Sequence, residues 1–254
     1  MKKYIKIPFL FLRFLLFLIL VIGVTAAITK NIYADILINN FKKQAVYQPD
    51  LSTETVKIYH VDVDLERESC TMHDDILTPG NATDIIISLD LKIDSDVLGA
   101  IVSFFAGGHA GIVLDDYVDS KGSASTNFTL ESTGFGEDTD AFVFNKNFWY
   151  LDEACPYDEI IGLRVDTTEH ERHQIVAKAM ALVGEPYNYT FFFNTKNTSY
   201  CTDIIGKAFK EAGVNLNKDG LTTSVYDLLI SNKTYISYYC KIDSDGIKHI
   251  YYLV

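Results

Sequence analysis

The sequence predicts an α+β fold in which an antiparallel sheet packs against helices, preceded by one transmembrane helix at the N-terminus. Strand-like segments come first after an apolar leader, whereas the two clear helices of the remaining chain come later, an order typical of α+β proteins. The leader is apolar from residue 9 to residue 28, with Arg13 as its one interruption. Because about 20 helical residues cross the hydrocarbon core of a bilayer, this segment is long enough to span a membrane.

The charges around the leader predict its orientation. The first 13 residues contain no acid and four basic residues, which are Lys2, Lys3, Lys6 and Arg13. Basic residues favour the cytoplasmic side, so the chain after Lys30 is expected outside the cytoplasm, at the cell surface. The alternative is a cleaved signal peptide and a secreted protein, since small residues at 25–27 offer a cleavage site. A signal peptide's apolar region normally has about 7 to 15 residues, which favours a retained anchor here.

Composition limits the classes of function and partner. The 254 residues include 22 basic and 34 acidic ones, and the net charge is −12. A nucleic-acid-binding protein needs a basic face, so no nucleic acid is expected as a partner. A hydrophobic content of 48% excludes wholesale disorder. We therefore predict an anchor at 1–30, a juxtamembrane stalk at 31–52 and one domain at 53–254.

Cysteine and histidine spacing predicts no metal and no cofactor. Four cysteines are too few for a disulfide scaffold, and no two of them have C-x-x-C spacing. The pairing of Cys70, Cys155 and Cys240 is left open. His170 and His173 lie on one face of a predicted helix, and we interpret that face as solvated.

Periodicity predicts the elements of the domain. A helix over 168–183 begins at a Thr168–Glu171 capping box and ends before Gly184. A second helix over 199–212 ends before Gly213, and a short helical stretch follows at 224–232. Alternating or β-branched segments predict strands at 54–66, 84–91, 107–116, 125–132, 141–145, 160–166, 234–242 and 247–254.

Cys201 is the first candidate for chemistry. It shares the apolar stripe of the second helix with residues 204, 205, 208, 209 and 212, and it lies in the first turn of that helix. Unpaired backbone N–H groups and the helix dipole stabilise a thiolate at such a position. The same N–H groups can bind a developing oxyanion.

His109 and Glu131 are the candidate partners of that thiol. His109 begins a predicted strand among three glycines, and a histidine beside a cysteine at a helix start is the arrangement of a Cys/His nucleophile pair. Glu131 lies on the following strand, which could run antiparallel to the first, and would orient the imidazole. Asp115 and Asp116 are rivals at the far end of the histidine strand.

Five segments together resemble a known family. They are LTPG at 77–80, GGHAGIVL at 107–114, TLESTGFG at 129–136, GEPYNYTF at 184–191 and YCTDIIGKAF at 200–209. In this order they are similar to the circularly permuted papain-like cysteine hydrolases of the YiiX/YaeF/YycO group, which are relatives of the NlpC-type cell-wall peptidases. The resemblance covers about residues 77 to 230. Two departures are mild: Asp84 fits the family's strand entry loosely, and Thr202-Asp203 replaces the commoner Ser-Glu.

The resemblance implies a permuted papain-like fold and a catalytic triad. By this match Cys201 is the nucleophile, His109 the base and Glu131 the orienting acid, while Tyr187 and Tyr200 are aromatic positions that shape the substrate site. The expected reaction is hydrolysis of an amide bond in a cell-wall peptide or related compound through a thioester. Two alternatives stay open. One is a lipid-directed acyl-ester hydrolase or acyltransferase, which the anchor and the Phe191–Phe193 run would suit, and the other is a non-catalytic binding domain.

Overall fold

A computed structural model gives the architecture of the chain. It describes residues 6–63, 67–70, 72–73, 78–89, 104, 107–114, 117–118, 124–125, 129–134, 141–144, 149, 157–189, 197–217 and 222–254. Several residues weighed above lie outside these ranges, namely Asp115, Asp116, Cys155 and the Phe191–Phe193 run. Within the described residues the fold is α+β, as predicted, with one large sheet, helices and a long apolar N-terminal helix.

The N-terminal helix, α1, runs without a break over Lys6–Lys43. At 1.5 Å per residue it is about 57 Å long, nearly twice the hydrocarbon thickness of a bilayer. Its large apolar side chains are exposed from Phe9 to Ile22, whereas Ala34, Ile38 and Phe41 are buried. This helix is long and apolar enough to span a membrane by its first part, and its last part belongs to the protein core.

Polar contacts attach α1 to the rest of the chain. Lys30 Nζ lies 2.5 Å from Asp227 Oδ1. Asn31 accepts a hydrogen bond of 2.6 Å from the Tyr226 hydroxyl and donates one of 3.3 Å to the carbonyl of Phe104. Much of the segment interpreted as a stalk is therefore helix that packs on the domain. The exposed side of this part of the helix mixes apolar and polar side chains, so the sequence showed only weak helical periodicity there.

The large sheet has nine strands among the described residues. In spatial order they are β1 (Ala45–Tyr47), β2 (Val56–Val61), β13 (Lys248–Leu253), β12 (Thr234–Ile242), β11 (Glu159–Val165), β5 (Ile85–Ser88), β6 (His109–Val113), β9 (Thr129–Ser132) and β10 (Ala141–Phe144). Two hairpins, β3 (Met72–His73) with β4 (Thr78–Pro79) and β7 (Tyr117–Val118) with β8 (Ala124–Ser125), form separate small sheets. Neighbouring strands are antiparallel as predicted, except that β2 and β13 are parallel.

In the described part of the chain, three helices follow the strands that carry the candidate residues. They are α2 (Glu169–Met180), α3 (Cys201–Glu211) and α4 (Val225–Leu229). The Thr168–Glu171 capping box of α2 is confirmed, and α4 begins at a second capping box formed by Ser224 and Asp227. Gly184 and Gly213 have φ of 85° and 77° after α2 and α3, which is the left-handed backbone that glycine adopts at helix ends.

A buried ion pair holds the centre of the sheet. The Arg164 guanidinium on β11 donates to both carboxylate oxygens of Asp84, at 2.6 and 2.8 Å, and also to the carbonyl of Glu68. Burial raises the pKa of Asp84, and Arg164 opposes that shift. The aspartate that fits the family pattern loosely therefore has a structural partner at the entry to β5.

Candidate active site

Strand register brings His109 and Glu131 to one face of the sheet. β6 and β9 are antiparallel, and Glu131 lies directly opposite Gly111. His109 is two residues from Gly111, so the histidine, the glycine and the glutamate share that face. A Cβ atom on Gly111 would lie 2.9 Å from Glu131 Cγ. The missing side chain of Gly111 is therefore the space through which Glu131 reaches the imidazole.

Three donors hold the Glu131 carboxylate. His109 Nε2 lies 2.8 Å from Glu131 Oε2, while the Thr129 hydroxyl and Trp149 Nε1 donate to Oε1 over 2.9 and 2.5 Å. Thr129, Glu131 and Trp149 are all buried. A buried carboxylate with a donor on each oxygen is fixed in place, so Glu131 can orient the imidazole.

Trp149 is a site residue that the sequence did not indicate. Its indole ring stacks on the His109 ring with centroids 5.5 Å apart and an angle of 6° between planes. The Tyr157 ring lies against both, with centroids 4.8 Å from Trp149 and 6.2 Å from His109. Trp149 is the one tryptophan of the chain and is 2% exposed. The segment around Trp149 has no clear periodicity. The only hint in the sequence was that this residue is the chain's single tryptophan.

Cys201 faces His109 from the start of α3. The thiol is close enough to the imidazole that its interaction with the ring raises the pKa of His109, while the ring's Nε2 is engaged by Glu131. The apolar stripe predicted for this helix is confirmed, because Ile204, Ile205, Ala208 and Phe209 are buried. That burial fixes the rotation of α3, and with it the direction of Cys201.

The first turn of α3 offers backbone donors beside the thiol. The amide groups of Asp203 and Ile204 donate to the Tyr200 carbonyl, and no side chain caps the helix. In the part of the chain that the structure describes, the N–H groups of Cys201 and Thr202 have no acceptor. Donors left over at a helix start are suited to an oxyanion.

His109 holds a proton strongly. Burial by itself lowers the pKa of this imidazole, but its hydrogen bonds with Cys201 and Glu131 outweigh burial and raise the pKa to about 10. The side chain is 13% exposed. At neutral pH the ring is therefore a cation between two groups that carry or can carry negative charge, which is the electrostatic arrangement of an activated thiol.

A polar network behind Cys201 anchors the turn at 184–188. The Ser199 hydroxyl donates to Glu185 Oε2 over 2.5 Å, and Lys207 Nζ donates to the Ser199 hydroxyl over 2.8 Å. The Ser132 hydroxyl donates to the Ser199 carbonyl over 3.1 Å, and the Asn188 N–H donates to that carbonyl over 2.9 Å. Strand β9, the turn and the start of α3 are thereby joined.

The two predicted aromatic positions differ in their surroundings. Tyr187 is half-buried against Gly134, where a Cβ would lie 2.6 Å from the Tyr187 ring, and burial followed by the charge of Cys201 raises its pKa. The Tyr200 hydroxyl accepts a hydrogen bond of 3.0 Å from the Thr223 N–H. Tyr187 thus lies near the thiol, whereas the hydroxyl of Tyr200 supports the segment before α4. Contact of either with a substrate stays a prediction.

The other two cysteines that the structure describes lie apart from this site. Cys70 and Cys240 are buried in the core, away from the contacts just described. Across the described ranges, no group of three or more His, Cys, Asp or Glu side chains is placed so that it could hold a metal ion.

Comparison with known structures gives a distant neighbour of this chain. No family model matches the chain, and no curated protein matches it. The structure is similar to the crystal structure of the metalloprotein YiiX from Escherichia coli O157:H7, a DUF1105 protein. The identity is 13% and the TM-score 0.43, over 61% of this chain and 95% of that one.

Proposed function

We propose that this protein is a membrane-anchored cysteine hydrolase with a permuted papain-like fold, in which Cys201 is the nucleophile, His109 the acid and base, and Glu131 the orienting carboxylate. The sequence motifs predict that the enzyme cleaves an amide bond. The observation that carries the proposal is the position of the His109 ring, which is hydrogen-bonded to Glu131 over 2.8 Å and lies beside Cys201, whose interaction with the ring raises the pKa of His109.

The proposed reaction is acyl transfer in two steps. The Cys201 thiolate attacks the carbonyl carbon, and the resulting oxyanion is bound by N–H groups in the first turn of α3. His109 gives its proton to the leaving amine as the C–N bond breaks, which leaves a thioester on Cys201. Water then loses a proton to His109 and attacks the thioester, and the C–S bond breaks to release the acid and the thiolate.

The charge state of His109 supports this sequence of steps. With a pKa of about 10, the imidazole is protonated at neutral pH and can act as the acid for the leaving group. A catalytically silent binding domain has no use for such a proton donor beside a thiol at a helix start. The contacts of Cys201, His109 and Glu131 therefore favour an enzyme over the binding domain that the sequence left open.

The location of the enzyme follows from the N-terminal charges. Four basic residues precede or begin the apolar run, and basic residues stay on the cytoplasmic side. We therefore propose that the hydrolase domain lies outside the cytoplasm. Fusing a periplasmic or cytoplasmic reporter to the C-terminus tests this orientation, and activity of the cytoplasmic reporter would overturn it.

Labelling of the thiol tests the nucleophile. The full-length protein in detergent is treated at pH 7 with iodoacetamide and the adducts are located by mass spectrometry. We expect rapid labelling of Cys201, loss of that label in Cys201→Ala and strong slowing in His109→Gln. Cys240→Ala is the matched control, because that buried thiol lies in strand β12 and its removal should leave the label on Cys201 unchanged. Equal labelling rates in wild type and His109→Gln would contradict the proposal.

A further inference from the structure

We propose that Asn31 of α1 is a positioning residue for the catalytic pair, because its side chain joins the segment that leads to His109 to the helix that supports Cys201. This inference rests on the proposed cysteine hydrolase and adds to it a residue that lies outside the sequence motifs. In the sequence, Asn31 begins the segment interpreted as a stalk.

Both ends of the Asn31 amide are engaged. Its Oδ1 accepts a hydrogen bond of 2.6 Å from the Tyr226 hydroxyl on α4. Its Nδ2 donates over 3.3 Å to the carbonyl of Phe104, in the segment before β6, and over 2.8 Å to the carbonyl of Ala27, one turn earlier in α1. A side-chain amide has two N–H donors and one acceptor oxygen, so these three bonds fix the orientation of the group.

The neighbouring residue of α1 strengthens the attachment to α4. Lys30 Nζ lies 2.5 Å from Asp227 Oδ1. The other carboxylate oxygen of Asp227 accepts hydrogen bonds of 2.9 and 2.6 Å from the N–H and the hydroxyl of Ser224, which caps α4. Since Asp227 is held at both oxygens, the first turn of α4 has one fixed orientation on α1.

The start of α4 supports the turn that carries the nucleophile. The N–H of Thr223 donates to the Tyr200 hydroxyl over 3.0 Å, and the Thr223 carbonyl accepts a bond of 2.6 Å from the Thr202 hydroxyl. Tyr200 and Thr202 precede and follow Cys201 in the chain, and both are buried. A shift of α4 therefore moves the first turn of α3, and the thiol moves with it.

The same turn of α4 packs on the approach to the histidine. A Cβ on Gly107 would lie 2.6 Å from Val225 Cβ, so Val225 packs directly on the backbone two residues before His109. Gly107 has a φ of 81°, in the left-handed region that glycine adopts most readily. The bond from Asn31 to the Phe104 carbonyl holds this segment three residues earlier. The histidine segment is thus fixed against the helix that supports the thiol.

The hold of Glu131 on the imidazole comes from a different part of the structure. It depends on the register of β6 and β9, in which Glu131 faces Gly111, and on the 2.8 Å bond to His109. Loss of the Asn31 bridge should therefore displace the thiol relative to the imidazole and leave the bond to Glu131 intact. Small displacements between catalytic groups cost large factors in rate.

The test measures the rate constant for alkylation of Cys201 by iodoacetamide as a function of pH, with the full-length protein in detergent and the adduct located by mass spectrometry. Asn31→Ala removes the bridge, and Tyr226→Phe keeps the buried ring and removes only its hydroxyl. Two controls accompany them. Asn39→Ala makes the same substitution at an exposed asparagine of α1, and Ile38→Ala removes buried packing of α1 but leaves the bridge in place.

We expect Asn31→Ala to raise the midpoint of the alkylation profile by about one pH unit, which is a tenfold loss in the pairing of the thiolate with the imidazolium. The plateau rate at high pH should equal that of wild type, because every thiol is then ionised. Tyr226→Phe should shift the midpoint in the same direction. The double variant should shift it no further than Asn31→Ala alone, since both substitutions break one bridge. The two controls should keep the wild-type midpoint.

An unchanged midpoint in Asn31→Ala, shown to be folded by circular dichroism, would overturn the inference. An equal shift in Ile38→Ala would also overturn it, because any loosening of α1 would then have the same effect. Additive shifts in the double variant would show that the two residues act separately, and would contradict a shared bridge. If Asn31→Ala does not fold, a wild-type midpoint in Tyr226→Phe is the refuting result. Absence of Cys201 labelling in the wild type would instead refute the hydrolase itself.

Discussion

Replacing Gly111 by alanine should disable the site without changing any of its functional groups. The added Cβ would lie 2.9 Å from Glu131 Cγ, about 0.6 Å inside the shortest comfortable separation of two carbon atoms, roughly 3.5 Å. Glu131 is held by His109, Thr129 and Trp149, so it can move only by weakening those bonds. A displacement of that size lengthens the 2.8 Å bond to His109 to the limit of a hydrogen bond, about 3.4 Å.

The size of the effect follows from that bond. A hydrogen bond to a charged group contributes about 1.5 to 3 kcal/mol. Its loss lowers the pKa of His109 from about 10 and weakens the pairing of the imidazolium with Cys201. We expect the rate constant for alkylation of Cys201 at pH 7, and the rate of hydrolysis, to fall by about 10- to 100-fold.

A second glycine provides the matched control. In Gly206→Ala, on the same helix as Cys201, the nearest atom to the new Cβ is the Thr223 hydroxyl at 3.9 Å. Alanine favours a helix over glycine by about 1 kcal/mol, so this variant should be as stable as wild type or slightly more so, and fully reactive. Wild-type alkylation in Gly111→Ala would refute the role of Glu131, and an equal loss in Gly206→Ala would refute the steric reasoning.

Three further predictions concern the indole, the proton and the buried ion pair. Trp149→Phe keeps a ring stacked on His109 but removes the N–H that donates to Glu131. Alkylation of Cys201 at pH 7 should therefore slow by about 10-fold or more. A wild-type rate would show that the indole N–H is dispensable. The rate of hydrolysis should fall as the pH rises through about 10, because His109 then loses the proton that the leaving group needs. Alkylation of the Cys201 thiolate should continue at that pH. A parallel fall of both rates would contradict the role of His109 as the acid. Asp84→Asn leaves Arg164 buried without its counter-charge. The free energy of unfolding, measured in urea, should therefore fall by about 3 to 5 kcal/mol. An unchanged urea midpoint would refute the structural role of the pair.

The sequence predicted the helices of the domain well because helices depend on near neighbours. The Thr168–Glu171 box and the left-handed Gly184 are set by residues a few positions apart, and both are confirmed. The stripe that begins at Cys201 also repeats over a few residues, and the structure buries it. The strands were found where β-branched residues alternate or cluster, and those predicted at 141–145, 160–166, 234–242 and 247–254 agree with the structure to within one residue at each end.

The arrangement of the candidate site was predicted only in part. The motifs named Cys201, His109 and Glu131 together, and the structure brings the three side chains into contact, while their catalytic roles stay a proposal. Trp149 was missed, since nothing local in its segment indicates a contact with Glu131. The use of Gly111 as space for that carboxylate also depends on a partner strand, which the residues around Gly111 do not reveal.

By itself, the sequence determined the α+β class, most of the elements, the apolar helix that can cross a membrane and the residues of the candidate triad. The tertiary structure alone decided that β2 and β13 pair in parallel, that Glu131 stands opposite Gly111, and that α1 docks through Lys30 and Asn31 on α4. The physical reason is the range of the interactions. Periodicity and caps act within one or two turns of chain, whereas strand register and helix docking join segments that are far apart in sequence and meet only when the core is packed.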